Sequence, residues 1–153
     1  MTVIRRQIEL ILEAEKLVAT GRKFRAKAHP DYKELKAEVF CATFPEFNLL
    51  YRCIFHCSRE PRKISHLLTA DGQRIFALDI NPGGSHRNLI TLESVSGTHW
   101  QVGPDCEAEA DERVLNPAQW HHEFAKRAGL KFEAYEAPAF MAMAPVIADM
   151  FGA

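Results

Sequence analysis

The chain has 153 residues, with 19 Lys and Arg against 20 Asp and Glu for a net charge of -1, and 47% hydrophobic and 25% charged residues. These proportions fit an ordinary globular protein and exclude a uniformly basic nucleic-acid binder or an acidic disordered tail. A single domain spanning residues 1–153 buries roughly two thirds of its unfolded surface, so neither a disulfide nor a structural metal is needed for folding.

Along residues 3–19, Ile4, Ile8, Ile11, Leu12 and Val18 recur near one side of a 3.6-residue period, which predicts an amphipathic helix with Thr2 as cap and Gly21 as stop. A basic connector follows, with Arg22, Lys23, Arg25 and Lys27 ahead of Pro30. The texture then changes to short runs rich in Val, Ile, Phe, Thr and Tyr, predicting strands at 35–43, 49–58, 63–70, 74–80, 88–93 and 98–102. Turn-forming residues separate them, including Asp71-Gly72, Asn81-Pro82-Gly83-Gly84 and Ser96-Gly97. Connectors this short favour an antiparallel meander, because parallel neighbours need about a dozen residues between them.

After the acidic segment 105–112, a helix is signalled by Asn116 as cap, Pro117 in the first turn, an apolar stripe of Trp120, Phe124 and Ala128, and Gly129 as terminator. Residues 130–135 read as one more strand and 138–151 as a final apolar helix. The fold class expected is α+β: an N-terminal helix, an antiparallel meander of about five or six strands, and one or two C-terminal helices packed on one face.

The near-neutral total hides an asymmetry. Residues 1–36 carry nine basic and five acidic side chains, and the rest carry ten and fifteen. Such polarity either draws phosphates to the basic end or pairs the chain with a partner; otherwise the charges solvate a surface. The opening MTVIRRQIEL lacks the apolar core of a signal peptide, and no run approaches the roughly 18 apolar residues of a membrane span. The expected location is the cytoplasm, where Cys41, Cys53, Cys57 and Cys106 remain free thiols. Met and Phe side chains near the C-terminus allow a homodimer.

Several clusters argue against cofactor chemistry. On a strand, Cys53 and Cys57 lie about 13 Å apart and His56 points to the other face, so one zinc cannot join them. His121 and His122 are adjacent on a helix, so their rings diverge by about 100° and do not converge on an ion. They are read as surface or half-buried helix residues. The glycines of NPGGS lack the Lys-Ser/Thr pair of a phosphate-binding loop. No metal and no cofactor is expected.

The segment FALDINPGGSHRNLITLESVSGTHWQVG packs polar residues densely into strand-like sequence. Asp79 ends one strand, His86, Arg87 and Asn88 open the next, and Thr98, His99, Trp100 and Gln101 sit in the third. In a meander, strand ends distant in sequence converge. Two histidines and an arginine there suit cleavage of a phosphodiester: one neutral imidazole removes a proton, one imidazolium returns it, and the guanidinium holds the phosphate. His86 and His99 are the acid/base candidates and Arg87 the phosphate ligand, with Arg52, His56, Asn88 and Thr98 as further substrate contacts.

Leu78-Asp79-Ile80-Asn81-Pro82, then His86-Arg87-Asn88, then Thr98-His99-Trp100 form a pattern that resembles an uncharacterised domain family of bacterial prophages and mobile elements. It is more distantly similar to the TumE-type toxins of toxin-antitoxin loci, which cleave RNA. The chain departs from that pattern at Ser85-His86 and Thr98-His99, where the TumE-like proteins have doubled histidines, and at Gln101, where the prophage pattern usually has a histidine. The resemblance implies a toxin-like, metal-independent endoribonuclease whose partners are RNA and an antitoxin. The alternative is a non-enzymatic protein of a mobile element, an inhibitor of a host defence nuclease or an immunity protein. It would bind its protein partner through Asp105, Glu107 and Glu109, whose carboxylates imitate phosphates.

Overall fold

Two features of the first turns decide how the chain enters its fold. Ile8 and Ile11 are fully buried on helix α1 (Arg5–Glu13), and the helix then stops well before residue 19. Residues expected to continue it form strand β1 (Lys16–Val18) instead. The stop is made by Lys16, whose ammonium is almost completely buried against the carbonyls of Ile11 and Ala14, taking up acceptors that the helix end leaves open. Burial lowers the Lys16 pKa to about 8. The structure, a computed structural model, describes residues 3–19, 25–26, 32–56, 63–80, 85–87, 94–103 and 107–132. At 25, 26, 32, 56, 85–87, 94–96 and 107 it describes the backbone alone. The expected strand at 88–93 and final helix at 138–151 lie outside these residues.

The remaining elements are β2 (Arg25–Ala26), β3 (Tyr32–Phe40), β4 (Leu49–His56), β5 (Ile64–Ala70), β6 (Gln73–Ile80), β7 (Ser85–Arg87), β8 (Ser94–Ser96), β9 (His99–Val102), β10 (Glu107–Ala110), α2 (Pro117–Ala128) and β11 (Leu130–Phe132). The fold is α+β. A nine-stranded sheet runs β10-β9-β6-β5-β4-β3-β1-β11, with β2 beside β3. Six of its strands, β3 to β6 with β9 and β10, form an antiparallel meander. Between β6 and β9 the chain leaves the sheet and returns through a separate hairpin, β7 paired with β8. The acidic segment supplies β10. The only parallel pair among the described residues joins β1 to β11, Lys16 opposite Leu130.

Alternation along the strands separates the two faces. One face presents Leu35, Ala37, Leu49, Tyr51, Cys53, His66, Leu68, Phe76, Leu78 and Trp100, all buried. Helix α2 lies on it. Asn116 caps α2 through its side chain and Gln119 answers to the Asn116 amide, at 2.8 and 2.9 Å, and Gly129 ends it at φ 69°. Phe124 stacks on Phe76 and on Trp100, with ring centroids 5.3 and 6.4 Å away. The Arg127 guanidinium sits 4.1 Å over the Trp100 ring. Burying an aromatic side chain such as Phe124 contributes roughly 1.5–3 kcal/mol, more than the few tenths that separate ordinary residues in helix propensity. Packing, rather than propensity, holds α2.

Val3, ahead of α1, is held to β6. Gln73, at the start of β6, donates to the Val3 carbonyl at 3.2 Å and accepts from the Val3 amide at 3.1 Å.

Candidate active site

The opposite face carries a row of polar side chains through the middle of the sheet. Register places Ser65 of β5 opposite Asp79 of β6, and Asp79 opposite His99 of β9. The Ser65 hydroxyl donates to Asp79 Oδ1 at 2.7 Å, and Gln101 Nε2 donates to Asp79 Oδ2 at 3.2 Å. His99 Nε2 lies 3.4 Å from the same Oδ2, while His99 Nδ1 donates to the Gly97 carbonyl at 2.8 Å. Ser65, His99 and Gln101 are buried and Asp79 is half-buried.

Because a carbonyl only accepts, the Gly97 contact fixes a proton on Nδ1. The second imidazolium proton then lies on Nε2, facing Asp79. Burial alone would lower the pKa of His99, but its hydrogen bonds to Asp79 and Gly97 and the charge of Asp79 raise it above the ordinary histidine value, against an opposing push from Lys63. Burial alone would raise Asp79, but hydrogen bonds from His99 and Ser65, with the charges of His99 and Lys63, hold it below the ordinary carboxyl value. The resulting unit is a carboxylate that favours the protonated form of the imidazole, with Nδ1–H on the Gly97 carbonyl and Nε2 facing Asp79.

The other anticipated residues distribute as follows. His86 and Arg87 lie in the β7–β8 hairpin, opposite Val95 and Ser94. In the chain that hairpin lies between β6 and β9, its second strand ending at Ser96, three residues before His99. Arg52, on the same face as Asp79, is bound to Glu34 through two hydrogen bonds of 3.0 and 3.1 Å, so its charge is already matched within the sheet. His56 closes β4 opposite Tyr32. Thr98 is 2% exposed, and its hydroxyl finds no hydrogen-bond partner among the described residues. Glu107 and Glu109 lie on β10 opposite Val102 and Trp100, with Glu109 exposed. Asn88 and Asp105 lie outside the described residues, as do Cys57 and Cys106. Among the described residues no three His, Cys, Asp or Glu are grouped as metal ligands.

A second polar cluster, not anticipated from the sequence, sits beneath α2 on the helix-bearing face. Tyr51 Oη is 2.8 Å from His66 Nδ1 and 3.2 Å from His121 Nδ1. A hydroxyl has one proton to donate, so one of these imidazoles accepts from Tyr51 and the other donates to it, and the two rings are held in opposite tautomers. His66 is completely buried and its pKa falls well below the ordinary value, first through burial and then through His121. Burial, with His122, brings His121 down to about 4. Both rings are therefore neutral at pH 7. Burial pushes the neighbouring Cys53 thiol up to about 12, which suppresses thiolate chemistry there.

Sequence inspection missed Ser65 and His66, which the strand ISHLLTA places on opposite faces. The available signal was their departure from an otherwise apolar strand. Compared with known proteins, the chain matches no family model, no curated protein and no solved structure.

Proposed function

We propose that this chain is a metal-independent endoribonuclease of the toxin type, encoded by a mobile element and acting in the cytoplasm. The observation that carries the proposal is the Asp79–His99 pair on β6 and β9, the two strands between which the chain forms the hairpin of His86 and Arg87. His86, neutral, takes the proton from a ribose 2′-hydroxyl. The 2′-oxygen then bonds to phosphorus as the bond from phosphorus to the 5′-oxygen breaks. His99 Nε2, which in the resting protein faces Asp79 Oδ2, gives its proton to that leaving oxygen; Asp79 favours the protonated ring until then, and the Gly97 carbonyl, holding Nδ1–H, keeps it oriented. Arg87 holds the phosphate in the transition state. The products are a 2′,3′-cyclic phosphate and a 5′-hydroxyl, and no co-reactant is consumed. Asn88 and His56 are assigned to contacts with the RNA around the scissile bond; Thr98, which is buried, and Arg52, which Glu34 holds, do not have that role.

Expression in a bacterial host tests this assignment. The wild-type chain arrests growth, and His86→Ala and His99→Ala each relieve the arrest while accumulating as folded protein. Harmless expression of the wild type overturns it.

A second function is favoured by a different feature, the acidic β10 at one end of the sheet order with Glu109 exposed. Here the protein binds, without catalysis, to the basic groove of a host defence nuclease, or serves as an immunity protein, through Asp105, Glu107 and Glu109. Charge reversal at these three positions then abolishes capture of a nuclease from host lysate and leaves any RNA cleavage unaltered.

Among the described residues no helix is long and apolar enough to cross a membrane.

A further inference from the structure

A groove of about 670 Å³ opens where β1 and β3 end and β4 begins. Leu17, Val18, Phe40, Phe47 and Leu49 supply its apolar side chains, and Glu38 and Asn48 its polar ones. Leu17 and Phe40 stand opposite one another across the β1–β3 pair and are 38% and 62% exposed. No large apolar side chain among the described residues is more exposed than Phe40.

The described chain stops beside this groove. Strands β1 and β11 run parallel, with Phe132 opposite Val18, so the chain leaves β11 in the direction in which β1 runs on to Ala19, another residue of the groove. Only β1 stands between β11 and β3 in the sheet, which puts them about 10 Å apart. Residues 133–153 follow and lie outside the described residues. Within them, 137–148 hold no charged or hydrogen-bonding side chain and include Phe140, Met141, Met143, Val146 and Ile147. From Phe132, the chain to Phe140 reaches up to about 26 Å, so this apolar run extends easily over Phe40.

Such a run gains by leaving water, and an exposed apolar pair lies within its reach. Attachment through β11 keeps it near the groove at an effective concentration on the order of millimolar, which a separate molecule would have to match in solution. We infer that residues 137–148 dock in this groove as an intramolecular strap over Leu17 and Phe40. The inference is independent of RNA cleavage.

The test is photo-cross-linking in the full chain carrying Phe40→p-benzoylphenylalanine, a position exposed enough to accept the larger side chain. Irradiation at low protein concentration is expected to give a cross-link within one molecule, mapped by mass spectrometry to residues 137–148. In the same background, Phe140→Asp with Ile147→Asp places two charges in the strap and is expected to reduce that product by about tenfold or more, because a charge is costly to bury. The indole NMR signals of Trp100 and Trp120 check that the sheet and α2 remain folded. A cross-link to any other segment, a product joining two molecules, or a yield unchanged by the two substitutions overturns the strap.

Discussion

Asp79 and His99 stand directly opposite one another on β6 and β9, with Oδ2 and Nε2 3.4 Å apart and His99 only 3% exposed. The relationship joins stability to chemistry, because the contact that raises the imidazolium pKa also removes two charges from water. Replacing one member leaves the other buried and uncompensated, and a loss of about 3 kcal/mol is expected for Asp79→Asn. The same substitution brings the His99 pKa down. Chemical denaturation and an NMR titration of the ring measure the two effects.

The pH dependence of this pair has a defined sign. His99, raised in the fold, contributes stability that is complete below 6.5 and lost as pH rises through its folded value; Asp79, lowered in the fold, contributes stability present above 3.8 and lost as pH falls through its own. The pair therefore stabilises most between 3.8 and 6.5. The difference in unfolding free energy between wild type and His99→Gln should be largest in that window and shrink as pH rises above 6.5 through the folded value of His99.

The cluster under α2 has the opposite behaviour. His66 and His121 are neutral in the fold and take up protons when unfolded, so their contribution is present above 6.5 and is lost as pH falls toward about 4. His99 adds no slope below 6.5, since it is protonated both folded and unfolded there. His121→Phe is expected to flatten the loss of stability between pH 6.5 and 4.5. Tyr51→Phe removes the hydroxyl shared by the two rings and is expected to cost about 1–3 kcal/mol at pH 7, read from urea midpoints.

Gly129 ends α2 where α1 and β1 meet. A Cβ there would lie 2.5 Å from the Ala14 carbonyl oxygen and 2.9 Å from that of Leu12, at a φ of 69°. Gly129→Ala is expected to destabilise the protein by more than about 1 kcal/mol, through both strain and contact. Shortening Lys16 does not relieve this, because the colliding atoms are backbone; thermal unfolding of Gly129→Ala with and without Lys16→Met checks it.

Local signals carried much of this fold. Asn116, Pro117 and Gly129 marked α2, and Asp71-Gly72, with φ of 50° and 83°, marked the β5–β6 turn. Strand β1 was hidden because three residues that continue an apolar helical stripe are drawn into a parallel pair with β11, more than a hundred residues away. The site was legible to the extent that Asp79 and His99 share one polar stretch. Ser65, and the Glu34 partner that occupies Arg52, depend on cross-strand register, which no local pattern encodes. The Tyr51–His66–His121 cluster needed both register and the docking of α2.

The most direct measurement is incubation of the pure protein with a defined RNA in excess chelator, with end-group analysis of the products. The proposed chemistry predicts 2′,3′-cyclic phosphate and 5′-hydroxyl ends, with the rate falling about a hundredfold or more in folded His99→Gln. Intact RNA with the wild type, or a rate unchanged by His99→Gln, contradicts it.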